Sequence, residues 1–366
     1  MSSRARDRRA GIALMLVLVL VVMASVLGMT YLSVASIKLA GANNLRHVSR
    51  ARYLAESGLH HAMCLLRRDP AALKGYDAVS PMGPFYADGS DDAYFFYVTG
   101  TGIPLTYTAK ARGCSGGVTQ ASSAEVRLSS RYKDQLSNLG PIAYWRLGEL
   151  SGTVAKDLAG SNDGAYGGGA LLGRPGALAG DIDRSVHFDG HDDRVDLGRM
   201  DLSGQTLTIA AWFKAQDFVE AEGRIISKAT GLGNSDHYWM ISTVNSGGNM
   251  RLRFRLKCDG YVYRLTATSG DLEVGKWTFV VATYNGSRMR LYKDTVDVGS
   301  RSALGSISTD DDVNSWIGGN PSSPTDAPFH GQIDEVAIFN KVLTTDQILA
   351  LYEARIASVE ILSWDK

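Results

Sequence analysis

The sequence Arg-Leu-Arg-Phe-Arg-Leu-Lys at residues 251–257 alternates four basic residues with three apolar ones. Successive side chains of a β-strand point to opposite faces of the sheet, so Leu252, Phe254 and Leu256 share one face. The basic side chains share the other face. This pattern predicts a strand whose apolar face lies in a core and whose basic face lies in water.

Similar strand signals recur roughly every ten to fifteen residues from residue 141 onward, with glycine-rich turns between them. They occur at residues 185–188, 207–214, 224–228, 238–243, 277–284, 289–292 and 333–339. Many short antiparallel strands of this kind predict a two-sheet sandwich or jelly roll. Thr344 and Gln347 form a capping-box pattern ahead of apolar residues, which predicts one closing helix.

The charge of the chain is balanced overall but uneven along its length. The 366 residues include 38 basic and 38 acidic side chains, so the whole chain offers no electrostatic attraction to nucleic acid, and we predict no nucleic-acid partner. Residues 1–69 hold ten basic and three acidic residues, 70–140 hold six of each, and 141–366 hold 22 and 29. Three compositions predict three units.

Residues 12–32 (IALMLVLVLVVMASVLGMTYL) are apolar apart from Ser25 and Thr30. A helix of this length rises about 32 Å, enough to cross a hydrocarbon core of about 30 Å. We therefore predict a transmembrane helix over residues 12–37, in contact with membrane lipid. The alternative is a cleaved secretory signal, whose apolar core usually spans only about 7–15 residues.

The orientation of this helix does not follow from charge, because arginines lie on both sides of the apolar run. We place the short basic segment, residues 1–11, in the cytoplasm. The prediction is a single-pass protein of the cytoplasmic (inner) membrane, with the C-terminal domain periplasmic or extracellular and with a possible association with pili.

Apolar residues at helical spacing continue after the apolar run and predict an amphipathic extension of the helix over residues 38–69, ended by Pro70. Residues 9–14 (RAGIAL), the apolar run and residues 52–59 (RYLAESGL) together resemble the N-terminal region of PilX-type minor pilins and secretion pseudopilins. The resemblance implies processing between Gly11 and Ile12, and pilus or pseudopilus subunits as partners. Leu16 departs from the family, because major pilins carry a glutamate there, and this favours an atypical minor or anchoring role.

Residues 70–137 predict a small β unit, because strand-like segments at 94–98, 105–111 and 124–128 alternate with glycines. With the helix before it, this is a small α+β unit. We expect the jelly-roll domain over residues 138–355 and a C-terminal tail over 356–366. Cys64 and Cys114 either form a disulfide, if the chain is exported, or are buried free thiols like Cys258.

Five further segments, in order, resemble the laminin-G-like (LamG), concanavalin A-like jelly roll over about residues 141–355. They are residues 143–149 (AYWRLGE), 186–190 (VHFDG), 208–212 (TIAAW), 277–284 (WTFVVATY) and 331–340 (GQIDEVAIFN). This resemblance implies a mainly β fold with two antiparallel sheets. It also implies a lectin, an adhesive module or a glucanase.

The concanavalin A-like glucanases carry the pattern Glu-x-Asp-x-x-Glu on one strand, since glycoside hydrolysis usually needs two carboxylates. The nearest match is residues 332–337 (QIDEVA), where Gln332 and Ala337 stand at the outer positions. Because an amide and a methyl group replace the two carboxylates, we predict that the chain has no catalytic residues and is not an enzyme.

Candidate ligand contacts lie beside the glycine-rich loop at residues 231–235, where His237, Tyr238 and Trp239 follow. Aromatic rings stack on sugars, although at least one of Tyr238 and Trp239 belongs to the core, because adjacent strand residues point to opposite faces. Asp189 and Asp334 are the first candidates to hold a structural calcium ion, which the resemblance implies. The alternative is that these aspartates only form turns.

We predict a membrane-anchored, pilin-like surface protein that displays a LamG-like domain for binding extracellular carbohydrate or protein ligands. The alternative is a structural minor pseudopilin of a type IV pilus or type II secretion-like assembly, with the domain as a cap or spacer. A glycoside hydrolase is the remote alternative.

Overall fold

A single long helix opens the chain in the computed structural model, which describes residues 3–87 and 90–365. Helix α1 (Ser3–Arg68) has 66 residues, and side chains are described from residue 13 onward except at Ala71. The large apolar side chains of its first half are exposed. As predicted, α1 is long and apolar enough to cross a membrane. The helix ends just before Pro70, where the short 3₁₀ turn Pro70–Leu73 begins.

The second half of α1 packs on a small antiparallel sheet. The sheet contains β1 (Met82–Tyr86), β2 (Ala93–Gly100), β3 (Thr106–Ser115) and β4 (Val118–Ser129). Ala51, Ala55 and Leu59 are fully buried on the helix, at the helical spacing that the sequence predicted. Gly113 of β3 is required there, because a Cβ atom on it would lie 2.1 Å from the Ala51 carbonyl oxygen.

The remaining elements belong mainly to one β-rich domain. In chain order they are α2 (Tyr132–Asn138), β5 (Ala143–Trp145), β6 (Val154–Ala155), β7 (Gly164–Gly167), β8 (Leu171–Pro175), β9 (Arg184–Asp189), β10 (Arg194–Asp196), β11 (Leu207–Ala215), β12 (Arg224–Ala229), β13 (His237–Ser246), β14 (Asn249–Cys258), β15 (Tyr261–Thr266), β16 (Thr278–Tyr284), β17 (Arg288–Lys293), β18 (Val296–Ser302), β19 (Ser315–Ile317), β20 (His330–Phe339), α3 (Thr345–Glu353) and β21 (Ser358–Asp365).

Two sheets form the domain. Sheet I has the strand order β15-β14-β13-β12-β19-β10-β7-β6, and sheet II has the order β18-β17-β16-β11-β20-β9-β8, with β5 also paired to β20. Their inner faces share one core, to which sheet I contributes Trp239, Ile241 and Phe254 and sheet II contributes Ile209 and Ile333. The predicted two-sheet antiparallel jelly roll is confirmed.

The outer face of sheet II is covered by helices α2 and α3. Trp212 and Phe279 of this face stack with ring centroids 5.0 Å apart, and they pack in one cluster with Leu136 of α2 and Leu351 of α3. The predicted capping box is present at the start of α3, where the Gln347 backbone N–H donates to the Thr344 hydroxyl and the Thr344 N–H donates to the Gln347 side chain.

The C-terminal residues differ from the tail that we expected. Strand β21 lies in this segment and joins the small sheet beside β4. The chain divides into two compact units, and residues from Ile361 onward belong to the first unit, with α1 up to Leu66 and with Ala71–Val126. The second unit comprises Arg67–Pro70 and Arg127–Glu360.

The cysteines are free thiols in this structure. Cys64 is exposed, Cys114 is half-buried and only Cys258 is buried. The structure therefore has no disulfide between Cys64 and Cys114, and these two free thiols are not buried as Cys258 is.

Candidate functional site

A group of arginines lies on the outer face of sheet I, where β12, β13 and β14 run side by side. Arg224 pairs with Ser242, and Ser242 pairs with Arg253, so the three residues form one row across the sheet. Arg255 lies two residues along β14 on the same face. Together with Asn320, these residues are called the basic cluster below.

The prediction that this basic face lies in water is wrong for the residues of the cluster. Arg224 is fully buried, and Arg253 and Arg255 are only 3% and 4% exposed. Loops at residues 216–223 and 230–236 contact the arginine side chains, and the loop at 318–329 contacts the Arg224 backbone. The alternation of residues 251–257 identified the face correctly, since Leu252, Phe254 and Leu256 are all in the core. The alternation carried no information about the loops.

Each loop contacts the cluster through identified atoms. The Arg224 guanidinium donates to the Glu222 carbonyl oxygen at 3.0 Å, and its backbone N–H donates to the Ala327 carbonyl. Arg255 donates to the Gly233 carbonyl and to the Asn234 side chain, both at 3.4 Å. The Asn320 side chain donates to the Gly231 carbonyl at 3.1 Å, so the 230–236 loop is held from two sides.

Among the described residues, Glu222 is the carboxylate in ion-pair contact with these arginines. Its Oε1 accepts from Arg253 Nη1 at 3.0 Å, and its Oε2 lies 2.6 Å from Arg253 Nη2 and 3.6 Å from Arg224 Nη1. The Arg253 guanidinium lowers the pKa of Glu222. Burial and then the charge of Arg253 lower the pKa of Arg224 and of Arg255 to about 10, so both remain cations at neutral pH.

Several buried polar atoms of the cluster have no hydrogen-bond partner among the described residues. They are Nε and Nη2 of Arg224, Nε and Nη2 of Arg253, Nε of Arg255, Oγ of Ser242 and Oδ1 of Asn320. Buried polar groups are almost always paired, so a group of unpaired donors in one place is unusual. The cluster therefore has hydrogen-bonding capacity that the fold itself does not use.

The predicted ligand residues lie at the start of β13, and only His237 touches this environment. His237 is fully buried, and burial followed by the charges of Arg255 and Arg224 lowers its pKa to about 3. Trp239 is in the core. Tyr238 is 9% exposed, its hydroxyl donates to Asp310, and Lys257 Nζ lies 4.5 Å from its ring centroid.

Neither aromatic ring therefore offers a free face for a sugar, and the predicted stacking role is corrected. The reason is packing, because Trp239 points into the core between the sheets and the ring of Tyr238 is covered by a lysine.

A second charged group, here called the acidic cluster, lies at sheet II. Arg146, directly after β5, contacts Asp181 at 2.7 Å, Asp183 at 2.8 Å and Glu335 at 2.6 Å. Asp334 lies beside Glu335 and accepts from the Ala177 backbone N–H at 2.7 Å. Burial raises the pKa of both Asp334 and Glu335, against the opposing effect of Arg146.

A β-bulge places both carboxylates in this cluster. Between the pairs Ala210–Ala337 and Trp212–Asp334, β20 has one residue more than β11, and Glu335 has a φ of 53°. The extra residue turns both side chains toward one face, although neighbours on a regular strand face opposite ways, and both are buried as the rest of β20 is.

The two predicted metal candidates lie in separate groups. Asp334 belongs to the acidic cluster, whereas carboxylate oxygens of Asp189, Asp192 and Asp193 lie within 4.8 Å of one another. Asp193 is buried, and its Oδ1 has no hydrogen-bond partner among the described residues. Three hard oxygen ligands, one of them buried and unpaired, fit a calcium ion.

The predicted processing residues Gly11 and Ile12 lie in α1, at positions where the side chains are outside the described residues.

Residues 189–349 match the Laminin_G_3 family model, described as the concanavalin A-like lectin/glucanases superfamily. They lie within the two-sheet domain, whose fold is concanavalin A-like. A search of curated proteins found no match.

Solved structures with a similar fold include a domain of a Geobacillus stearothermophilus GH43 arabinanase in complex with arabinotriose (21% identity, TM-score 0.43), of which 98% is covered by 58% of this chain. The ligand-binding domain of botulinum neurotoxin serotype D in complex with N-acetylneuraminic acid has 17% identity and a TM-score of 0.44, with 60% of this chain and 52% of that one covered. A Trypanosoma rangeli sialidase has 13% identity and a TM-score of 0.42, with 72% and 45% covered. This chain thus spans about half of the toxin domain and of the sialidase.

The prediction that the chain is not an enzyme is wrong. An arabinanase domain and sialidases are among the similar structures. At 13–21% identity and TM-scores below 0.5, these similarities identify no reaction for this chain.

The arginines of the basic cluster were not singled out from the sequence. The sequence feature that could have identified them is the alternation of four basic residues along residues 251–257.

Proposed function

We propose that α1 anchors this chain in the cytoplasmic membrane and that its concanavalin A-like domain binds glycans outside that membrane. The observation that carries the proposal is the basic cluster, a set of buried polar side chains with unused hydrogen-bonding atoms beneath three loops. Binding sites are commonly built from loops on a rigid scaffold. The description of the matching family, which includes lectins, supports the same class of ligand.

Glycan binding is tested with the full-length chain in detergent micelles on a broad glycan array. We expect specific binding to a subset of glycans. A matched variant, Arg290→Gln on β17, changes one exposed arginine of sheet II and is expected to bind as the wild type does. An array with no signal for a folded wild-type chain would contradict the proposal.

Membrane anchoring and display are tested by cell fractionation and by protease treatment of intact cells. We expect the full-length chain in the membrane fraction and cleavage of its domain from outside. The exposed apolar surface of α1 supports this arrangement. A chain that is soluble in the cytosol would contradict it.

The resemblance of residues 1–69 to minor pilins suggests assembly with pilus or pseudopilus subunits. The packing of a long N-terminal helix on an antiparallel sheet is the specific observation that favours it. Co-purification with such subunits, weakened by changes at Gly11 or Leu16, is the expected result. If the domain is displayed on the cell surface but no such subunits co-purify, the assembly role is contradicted and α1 acts only as a membrane anchor.

A structural calcium ion is proposed at Asp189, Asp192 and Asp193. The expected result is that calcium raises the unfolding temperature of the wild type and leaves that of Asp193→Asn unchanged. Asp312→Asn changes an exposed aspartate elsewhere and is expected to retain the calcium response. Equal calcium responses for wild type and Asp193→Asn would contradict this site.

A further inference from the structure

We infer that the basic cluster recognises the anionic group of an acidic glycan, either a carboxylate or a sulfate. This inference rests on the proposed glycan-binding function and specifies the class of its ligand. The neutral polar groups of the cluster would then contact hydroxyl groups of the same sugar.

The donors of the cluster converge on one part of sheet I. Arg224 and Arg253 lie on either side of Ser242 in a single row of paired residues, and Arg255 lies on the same face. Arg224 Nε and Nη2 and Arg255 Nε have no partner among the described residues. Guanidinium groups present donors in a planar fork that matches carboxylate and sulfate oxygens.

The charge of the cluster cannot be removed by loss of a proton. Guanidinium groups stay protonated at neutral pH. Among the described residues, Glu222 is the carboxylate in direct contact with Arg224 and Arg253, and Arg255 has no direct carboxylate partner. Glu220 and Asp236 act on the arginines only from a distance, and the cation Arg264 opposes them. Buried charge is costly unless it is paired, so an anion is the group that this environment favours most.

The 230–236 loop provides a route to the cluster. Leu232, Gly233 and Asn234 are exposed, and the two contacts of this loop with Arg255 are both long, at 3.4 Å. Hydrogen bonds between a guanidinium and an anion are typically about 2.7–2.9 Å. An anion would therefore replace these contacts with shorter ones at a small cost to the loop.

The neutral groups favour a sugar rather than an acidic peptide as the carrier of the anion. Ser242 Oγ, in the row between Arg224 and Arg253, and Asn320 Oδ1, on the side chain that donates to the 230–236 loop, are buried and have no partner among the described residues. Asn234 lies in the same loop. A hydroxylated ring supplies donors and acceptors to such groups.

The test compares lactose, 3′-sulfolactose and 3′-sialyllactose by calorimetric titration of the full-length chain in micelles, with hexaglutamate as an acidic peptide. At least one acidic sugar is expected to bind roughly tenfold or more tightly than lactose, because hydrogen bonds between charged groups are stronger than those between neutral groups. The two acidic sugars distinguish sulfate from carboxylate. Inorganic sulfate is expected to compete with them.

Two variants assign the effect to the cluster. Arg255→Gln is expected to reduce the preference for the acidic sugar about tenfold, whereas Arg290→Gln makes the same change in charge on the other sheet and is expected to keep it. Ser242→Ala removes a hydroxyl that has no partner among the described residues, so its folding is expected to be unchanged and its affinity for the acidic sugar to fall about threefold.

The outcomes separate this inference from the proposed function. Equal binding of lactose and both acidic sugars would overturn the inference and leave glycan binding intact. Tight binding of hexaglutamate without binding of any sugar would overturn both. A preference for acidic sugars that survives in both Arg255→Gln and Ser242→Ala would overturn the assignment to this cluster.

Discussion

The concanavalin A-like domain contains two buried charged clusters of opposite sign. They differ in whether a change of protonation can neutralise their charge. In the acidic cluster, three carboxyl groups contact Arg146 and Asp334 lies next to one of them, Glu335. Burial raises the pKa of Asp334 and Glu335, so these groups can take up protons. In the basic cluster, the pKa of Arg224 and Arg255 falls only to about 10. The acidic cluster can be stable without a ligand, whereas we propose that an anion stabilises the basic cluster.

Removal of the central cation of the acidic cluster is expected to have the largest effect. Arg146→Met leaves Asp181, Asp183 and Glu335 without a counter-charge and should lower the free energy of unfolding by about 3–5 kcal/mol at pH 8. The loss should shrink at pH 5, where carboxylates protonate more readily. Thermal unfolding followed by tryptophan fluorescence measures both effects.

The matched control for this change is Arg290→Met, which breaks an exposed pair with Asp297 and should cost less than about 1 kcal/mol. Equal effects of the two variants would show that the acidic cluster does not depend on Arg146.

The corresponding change in the basic cluster is expected to act in the opposite direction. Arg224→Met removes a buried cation with two unpaired donors next to Arg253, and should raise the free energy of unfolding by about 1–2 kcal/mol in chloride buffer. Sulfate should stabilise the wild type more than the variant. Destabilisation by several kcal/mol would mean that the cluster is already balanced without an anion.

Neutralisation of one carboxyl group tests the proton uptake of the acidic cluster. The pKa of Asp334 is higher in the folded chain than in the unfolded one, so above pH of about 4 the folded state binds more protons and stability falls as pH rises. Asp334→Asn should flatten this dependence in unfolding measurements between pH 5 and 8. Asp312→Asn, at an exposed site, should leave the slope unchanged, and an identical slope for Asp334→Asn would contradict the assignment.

The smallest expected effect concerns His237, which titrates in the opposite sense. Its pKa is lowered to about 3, so the unfolded chain binds more protons between pH of about 6.5 and 3, and stability is lost as pH falls through this range. His237→Asn should reduce the sensitivity to acid, measured as the change in unfolding temperature from pH 7 to 5. His191→Asn, which alters an exposed ring, should not.

Much of the fold was predictable from local patterns. Alternation at residues 251–257 identified the core face of β14, and the spacing of Thr344 and Gln347 identified the start of α3. The uninterrupted apolar run predicted a helix able to span a membrane. These features depend on residues close together in the chain, so periodicity and capping chemistry were sufficient.

The candidate site was not predictable in the same way. The burial of Arg253 and Arg255 depends on loops that come from about 20 to 75 residues away in the sequence, and a strand pattern identifies a face without showing what covers it. Asp334 and Glu335 share one cluster only because a bulge interrupts the alternation of β20.

The sequence by itself determined the core face of β14, the start of α3 and the presence of a long apolar helix, because these follow from the period of the side chains and from capping residues close together in the chain. Only the tertiary structure decided which charged groups are buried together and which of them can be neutralised by protonation. The physical reason is that desolvation and pairing depend on distances between segments that are remote in sequence.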